Sequence, residues 1–241
     1  MTTLPYTLDP EEMAMARAPT ELAAWVTERC ERMGESPEAK SYGCSGEIWP
    51  KKFFEEVRPL SIYALEKYGN EDGVTVQPNL GNENYDGILR LSDGRNVLVE
   101  ITSAKDGYSD SLRMEVLEAE GHVNALGPIR VSGRRNSPDR EVDVSNDAVN
   151  HNKLVGEHMA LVAERICAKA KPKYSSEHVL IVTVDDYIPF RPGPDIKRLE
   201  GFVRALVKSL PLEFSHVAIV GESGRMLFDI GVRDKAPENA L

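Results

Sequence analysis

Two carboxylates stand out in the segment NYDGILRLSDGRNVLVEITSA, residues 84–104: Asp86 and Glu100. Both fall within or beside strand-like runs, where acids are uncommon. Acids that meet across paired strands repel each other unless a positive charge lies between them. The usual occupant of such a pair is a divalent cation held by oxygen ligands. Register decides whether these two meet. A two-residue loop at Asp93-Gly94 pairs Leu91 with Asn96 and turns the acids to opposite faces. A three-residue loop, Ser92-Asp93-Gly94, suits the residue types better, because Gly94 can supply the left-handed residue of a bulge. That register pairs Leu91 with Arg95 and Asp86 with Glu100, with Cβ atoms about 4.5–5.5 Å apart. Spacing alone leaves both a metal site and an ordinary hairpin with polar edges open.

The elements that must position these acids can be read along the chain. Strands are predicted over 73–77, 86–91 and 96–102. Residues 47–69 precede them as one kinked helix or two short ones, since Pro50 and Pro59 each remove a backbone donor. A helix ending at Gly121 and two short strands around the polar loop RVSGRRNSPDR (130–140) form an insertion over about 108–145. A long helix is expected over 147–171, ended by Pro172, with Leu154, Val155, His158, Leu161, Val162, Ile166 and Ala170 at helical spacing. The run VLIVTV, 179–184, has the character of a strand buried on both faces. An amphipathic helix (195–211) and two strands follow, and the tail from 233 reads as loose. The whole is expected to be an α/β fold with a mixed central sheet flanked by helices.

Ahead of this, Asp9-Pro10-Glu11-Glu12 forms a helix start with Asp as cap and Pro in the first turn. Residues 20–33 place Leu22, Trp25, Val26, Cys30 and Met33 on one face. Residues 1–44 are therefore expected to be an accessory helical arm, and 45–235 the α/β domain.

Composition narrows the function. The 241 residues are 41% hydrophobic, enough for a sizeable core. No run of 18 apolar residues suggests a membrane span, and the first residues lack the pattern of a secretory signal. Three cysteines without a CxxC pair predict a reducing, cytoplasmic setting. A net charge of −10 argues against coating nucleic acid by bulk charge, yet permits a local basic groove.

Asp86-Gly87 at a strand start, VLVEIT in the next strand and a preceding helix with acids resemble the PD-(D/E)XK nuclease superfamily. The helix ending in lysines, ICAKAKPKYSSEHVLIVTVDD, is similar to the second half of that pattern, and the likeness spans roughly residues 45–190. The resemblance implies a restriction endonuclease-like core and Mg²⁺- or Mn²⁺-dependent hydrolysis of DNA, with DNA as partner and room for a homodimer. It implies metal on Asp86, Glu100 and the carbonyl of Ile101, with a helix acid, Glu47 in preference to Glu56, joining them. The motif lysine would stand at 102, where this chain has Thr102, and threonine supplies no positive charge. A lysine could enter instead as Lys169 from the long helix or as Lys105 beyond the strand. Otherwise the chain would be a catalytically inactive nuclease fold serving as a nucleic-acid- or protein-binding regulatory module.

Other residues also have types suited to chemistry. Arg130, Arg134, Arg135 and Arg140 form the densest basic loop and could contact phosphates. His151 and His158 share a helix face without a metal-binding spacing, so a polar helix surface is expected. The VDDY segment at 184–187 could mark a small-molecule site at the mouth of the sheet, although a strand-end turn is the ordinary reading. Cys167 is expected to be buried on its helix.

Overall fold

The computed structural model describes residues 6–134, 137, 139–171, 174–187 and 189–232. In chain order its elements are α1 (Pro10–Met13), α2 (Pro19–Gly34), α3 (Pro37–Gly43), α4 (Ile48–Lys52), a π-helical turn (Phe53–Val57) and α5 (Arg58–Tyr68). Strands β1 (Thr75–Pro78), β2 (Gly87–Arg90) and β3 (Asn96–Ser103) follow, then α6 (Gly107–Glu120), β4 (Ile129–Ser132) and β5 (Glu141–Val144). The chain continues through α7 (His151–Lys169), β6 (His178–Val184), α8 (Pro194–Ser209), β7 (His216–Gly221) and β8 (Leu227–Gly231).

The fold is mixed α/β. Six strands form one sheet in the order β1-β2-β3-β6-β7-β8, and β4 with β5 forms a separate hairpin. The first three strands are antiparallel neighbours, β3, β6 and β7 run parallel, and β8 closes the far edge antiparallel. All seven residues of β6 are buried, as expected for a central parallel strand covered on both faces. Fully burying each of Leu180, Ile181 and Val182 stabilises the fold by roughly 1.5–3 kcal/mol.

One face of the sheet, carrying Val99, Ile101, Val179 and Ile181, packs on α2 and α5. The other, carrying Leu180, Val182, Val217 and Ile219, packs on α7 and α8. The first helices are not the accessory arm that their sequence suggests. Leu22, Trp25 and Val26 of α2 share a buried cluster with Phe53, Val57 and Leu60, and Trp25 meets Phe53 edge-on at 5.8 Å between ring centroids. Arg17 also exchanges two backbone hydrogen bonds with Val76, at 3.0 and 2.8 Å. An amphipathic face reveals that a helix packs, but not on what.

The expected break between Ile48 and Tyr68 is a π turn. Pro59 has no amide to give the carbonyl of Glu55, four residues earlier, so the helix cannot hold its regular ladder there. Cys167 is exposed, contrary to expectation. Helix α7 ends at Lys169, and Pro172 and the tail from 233 lie outside the described residues. No helix among the described residues is long and apolar enough to cross a membrane.

Candidate functional site

The β2–β3 hairpin adopts the three-residue register. Gly94 takes φ +85°, the amide of Leu91 donates to the carbonyl of Arg95 at 2.8 Å, and Gly87 pairs with Val99. One step further along that ladder, Asp86 comes beside Glu100, on the face that looks toward α7. The loop that delivers Asp86 is fixed by Asn79, whose amide donates to the Asp86 carbonyl at 2.9 Å. The Asn79 side chain also donates to Glu83 and to the Tyr85 carbonyl, each at 2.9 Å. Gly87 allows the approach from below, since a Cβ there would stand 2.5 Å from the Cδ2 of Leu60.

Asp86 is tied to the next strand. Its Oδ2 accepts a hydrogen bond from the amide of Ile101 at 2.7 Å. In an extended strand the amide and carbonyl of one residue point to the same side, so the Ile101 carbonyl also faces the Asp86 edge. Burial pushes the Asp86 carboxyl up to about 6, and the charges of Glu100 and Glu56 add to the rise. The Ile101 amide and Lys169 oppose it.

Glu100 is 7% exposed, deep enough that an unpaired charge would be costly. Two groups answer it on Oε1: the ammonium of Lys169, in a short ion pair, and the hydroxyl of Tyr174, which donates at 3.0 Å. Lys169 is the last residue of α7, and Tyr174 lies in the connection to β6. Burial, then the Glu100 charge, holds the Tyr174 phenol above its ordinary value. Tyr174 had no sequence signal beyond its place just after the lysine-rich helix end.

The remaining expected residues lie elsewhere. Glu47 sits exposed before α4 and takes no part in the carboxylate cluster. The helix acid that acts on Asp86 is Glu56, from the π turn, half-buried and bonded to Lys52 at 3.3 Å. Burial pushes the Glu56 carboxyl up, with Lys52 opposing. Lys105 pairs with Glu222 at 2.8 Å beyond the ends of β3 and β7, so it is not the lysine that meets Glu100. Of the basic loop, Arg140 is bound to Glu115 at 2.8 Å, Arg130 stands 4.0 Å from Asp147, and Arg134 is exposed. Arg135 lies outside the described residues. Among the described residues, no three His, Cys, Asp or Glu side chains converge on a point that could hold a metal ion.

His151 is not a solvated helix residue. Its Nε2 lies 2.7 Å from the buried carboxylate of Asp195, which also accepts from the Arg191 backbone and guanidinium. His158 is half-buried against Phe190, and burial lowers its affinity for a proton. In the VDDY segment, Asp186 accepts from the Ser223 amide at 2.7 Å, a strand-end turn. Two clefts open at this end of the sheet. One of about 710 Å³ lies along α6 and α7 and includes His158 and Asp185, and one of about 860 Å³ includes Lys51, Arg58 and Ser103.

No family model, curated protein or solved structure matches the chain.

Proposed function

We propose that this chain is a metal-dependent phosphodiesterase acting on DNA, built on a restriction endonuclease-like core. The observation that carries the reading is the meeting of Asp86, Glu100 and Lys169. Two carboxylates on neighbouring strands and one ammonium form the charge set that the motif calls for, and the lysine arrives from the crossover helix instead of from position 102. The order of elements adds support: α5, the antiparallel meander β1-β2-β3, helix α7, and β6 parallel to β3.

The donor set suits magnesium, which is commonly held by one or two carboxylates while keeping several waters and substrate phosphate oxygens. Asp86, Glu100 and the Ile101 carbonyl are the atoms that would hold it, with Glu56 near enough to add negative potential. Bound there, the cation would acidify a water and neutralise charge on the phosphoryl group.

The chain's own residues do the rest. The Ile101 amide fixes the rotamer of Asp86, and the Tyr174 hydroxyl fixes that of Glu100. Lys169, a quarter exposed, presents a cation beside the carboxylates, where a phosphate oxygen developing charge would find it.

Cleavage of plasmid and single-stranded DNA with Mg²⁺ or Mn²⁺ tests the proposal, comparing wild type with Asp86→Asn, Glu100→Gln and Lys169→Met. Metal-dependent cutting lost in all three supports it, and cutting that survives Asp86→Asn sinks it. A second reading, an inactive nuclease fold used for binding, draws on Thr102 at the motif position and on the two donors already seated on Glu100. It predicts neither cutting nor a metal-dependent rise in melting temperature.

A further inference from the structure

The 860 Å³ cleft lies at the end of β3 that extends past the hairpin, and it carries three features of its own. Lys51 and Arg58 line it, and neither makes an ion pair among the described residues. Lys105 lines it too, but is matched by Glu222, so the two unmatched cations face one acid of the wall, Glu55. The hydroxyl of Ser103 is buried at its edge with no hydrogen-bond partner among the described residues. Tyr187, 63% exposed, contributes a ring to the rim.

Unmatched cations, an unused hydroxyl and an exposed aromatic ring are the groups that hold a phosphate backbone and stack an unpaired base. The cleft lies near the carboxylates along β3, with Ser103 on the face toward α2 and α5 and Glu100 on the face toward α7. Ser103 lies two residues beyond Ile101 on the same face of β3, roughly 7 Å along the strand. Glu55 of the wall is the neighbour of Glu56, which acts on Asp86. We infer that this cleft takes a single-stranded nucleic-acid segment, with Arg58 and Lys51 on its phosphates and a base stacked on Tyr187, leading the strand to the Asp86–Glu100 edge. The inference rests on the phosphodiesterase reading for its direction, but binding can be measured apart from cutting.

The test is fluorescence anisotropy of a labelled eight-nucleotide oligothymidylate and of a matched duplex, with the full chain, in EDTA. Wild type is expected to bind the single strand more tightly than the duplex. Tyr187→Ala and the double variant Lys51→Ala/Arg58→Ala should each weaken it about tenfold. Tyr187→Phe should retain binding because it keeps the ring. No binding by wild type, a preference for duplex, or equal binding by Tyr187→Ala overturns the inference. Cutting abolished by Asp86→Asn but untouched by the cleft variants also overturns it while leaving the phosphodiesterase reading intact. Cleft-dependent binding without any metal-dependent cutting upholds the cleft and defeats the phosphodiesterase reading instead.

Discussion

Asp86 holds the amide of Ile101, the residue that follows Glu100, at 2.7 Å, so one acid of the pair is fastened to the peptide beside the other. That arrangement places two carboxylates in a half-buried setting, and Asp86 bears the strain as a raised affinity for a proton. A carboxyl moved from 3.8 to about 6 costs the folded state about 3 kcal/mol once ionised. The folded value lies above the unfolded one, so the folded state keeps its proton longer across that window. Stability therefore falls as pH rises from about 4 to about 6 and stays lower above it. Asp86→Asn keeps an oxygen for the Ile101 amide and carries no charge. It should be more stable than wild type by about 1–2 kcal/mol at pH 7.5 and no more stable at pH 4, by urea unfolding at both. A difference that does not change with pH would mean that Asp86 is not under electrostatic load.

Magnesium should reverse that load. Millimolar Mg²⁺ is expected to raise the melting temperature of wild type at pH 7.5, with the effect fading as pH drops through about 6 and Asp86 takes up a proton. Asp86→Asn and Glu100→Gln should lose the response. The same shift in the two variants would place the ion elsewhere on this acidic protein.

Lys169 and Glu100 are 69 positions apart and form the deepest ion pair at the site. Lys169→Met leaves Glu100 with Tyr174 alone. Losing one partner of a buried pair costs about 3–5 kcal/mol; with a quarter of the lysine exposed, about 2 kcal/mol is expected here. Glu100→Gln in the Lys169→Met background should recover most of that loss, because the neutral amide no longer needs the cation. Additive losses in this double-mutant cycle would mean the two side chains are not coupled.

The legible part of this protein was its local part. Gly94 demanded a left-handed residue and thereby a loop length, and the loop length placed Asp86 opposite Glu100. The lysine-rich end of α7 made Lys169 a reachable partner, since a helix joining parallel neighbours must return its end to the start of the next strand. What stayed hidden depended on contacts between distant segments. Glu47 and Glu56 look alike in sequence, and the fold decides between them, leaving Glu47 exposed before α4 and Glu56 half-buried in the π turn where it acts on Asp86. Tyr174 offered no pattern at all. The apolar stripe of α2 announced burial without revealing that α5 and β1 were its partners, which is why residues 1–44 read as an arm.

Gly87 carries a load beyond its turn-like look. A Cβ there would stand 2.5 and 3.3 Å from the two methyl carbons of Leu60, itself fully buried beneath the strand. Gly87→Ala must shift the buried Leu60 side chain or move β2 off α5, at about 1–3 kcal/mol. It should also displace Asp86, its neighbour. The expected signature is a lower melting temperature together with a lost Mg²⁺ response. Lost stability with an unchanged Mg²⁺ response would show that Asp86 is held by Asn79 and Ile101 regardless of the strand beneath it.

Thr102 offers the sharpest trial of how the lysine is supplied. It lies two residues after Glu100 and so on the same face of β3, half-exposed, pairing with Val182 of β6. A lysine at that position would project beside the carboxylates from the strand, as Lys169 does from the helix. If Lys169 serves the chemistry through its charge, Lys169→Met should abolish metal-dependent cutting and Thr102→Lys in the same chain should restore a measurable fraction. Thr102→Lys alone should change cutting by less than about tenfold, since the site already holds one ammonium. Restored stability without restored cutting would confine Lys169 to neutralising Glu100. A wild type that never cuts, joined by a Thr102→Lys variant that does, would mark this chain as a nuclease scaffold whose missing charge is the whole of its loss.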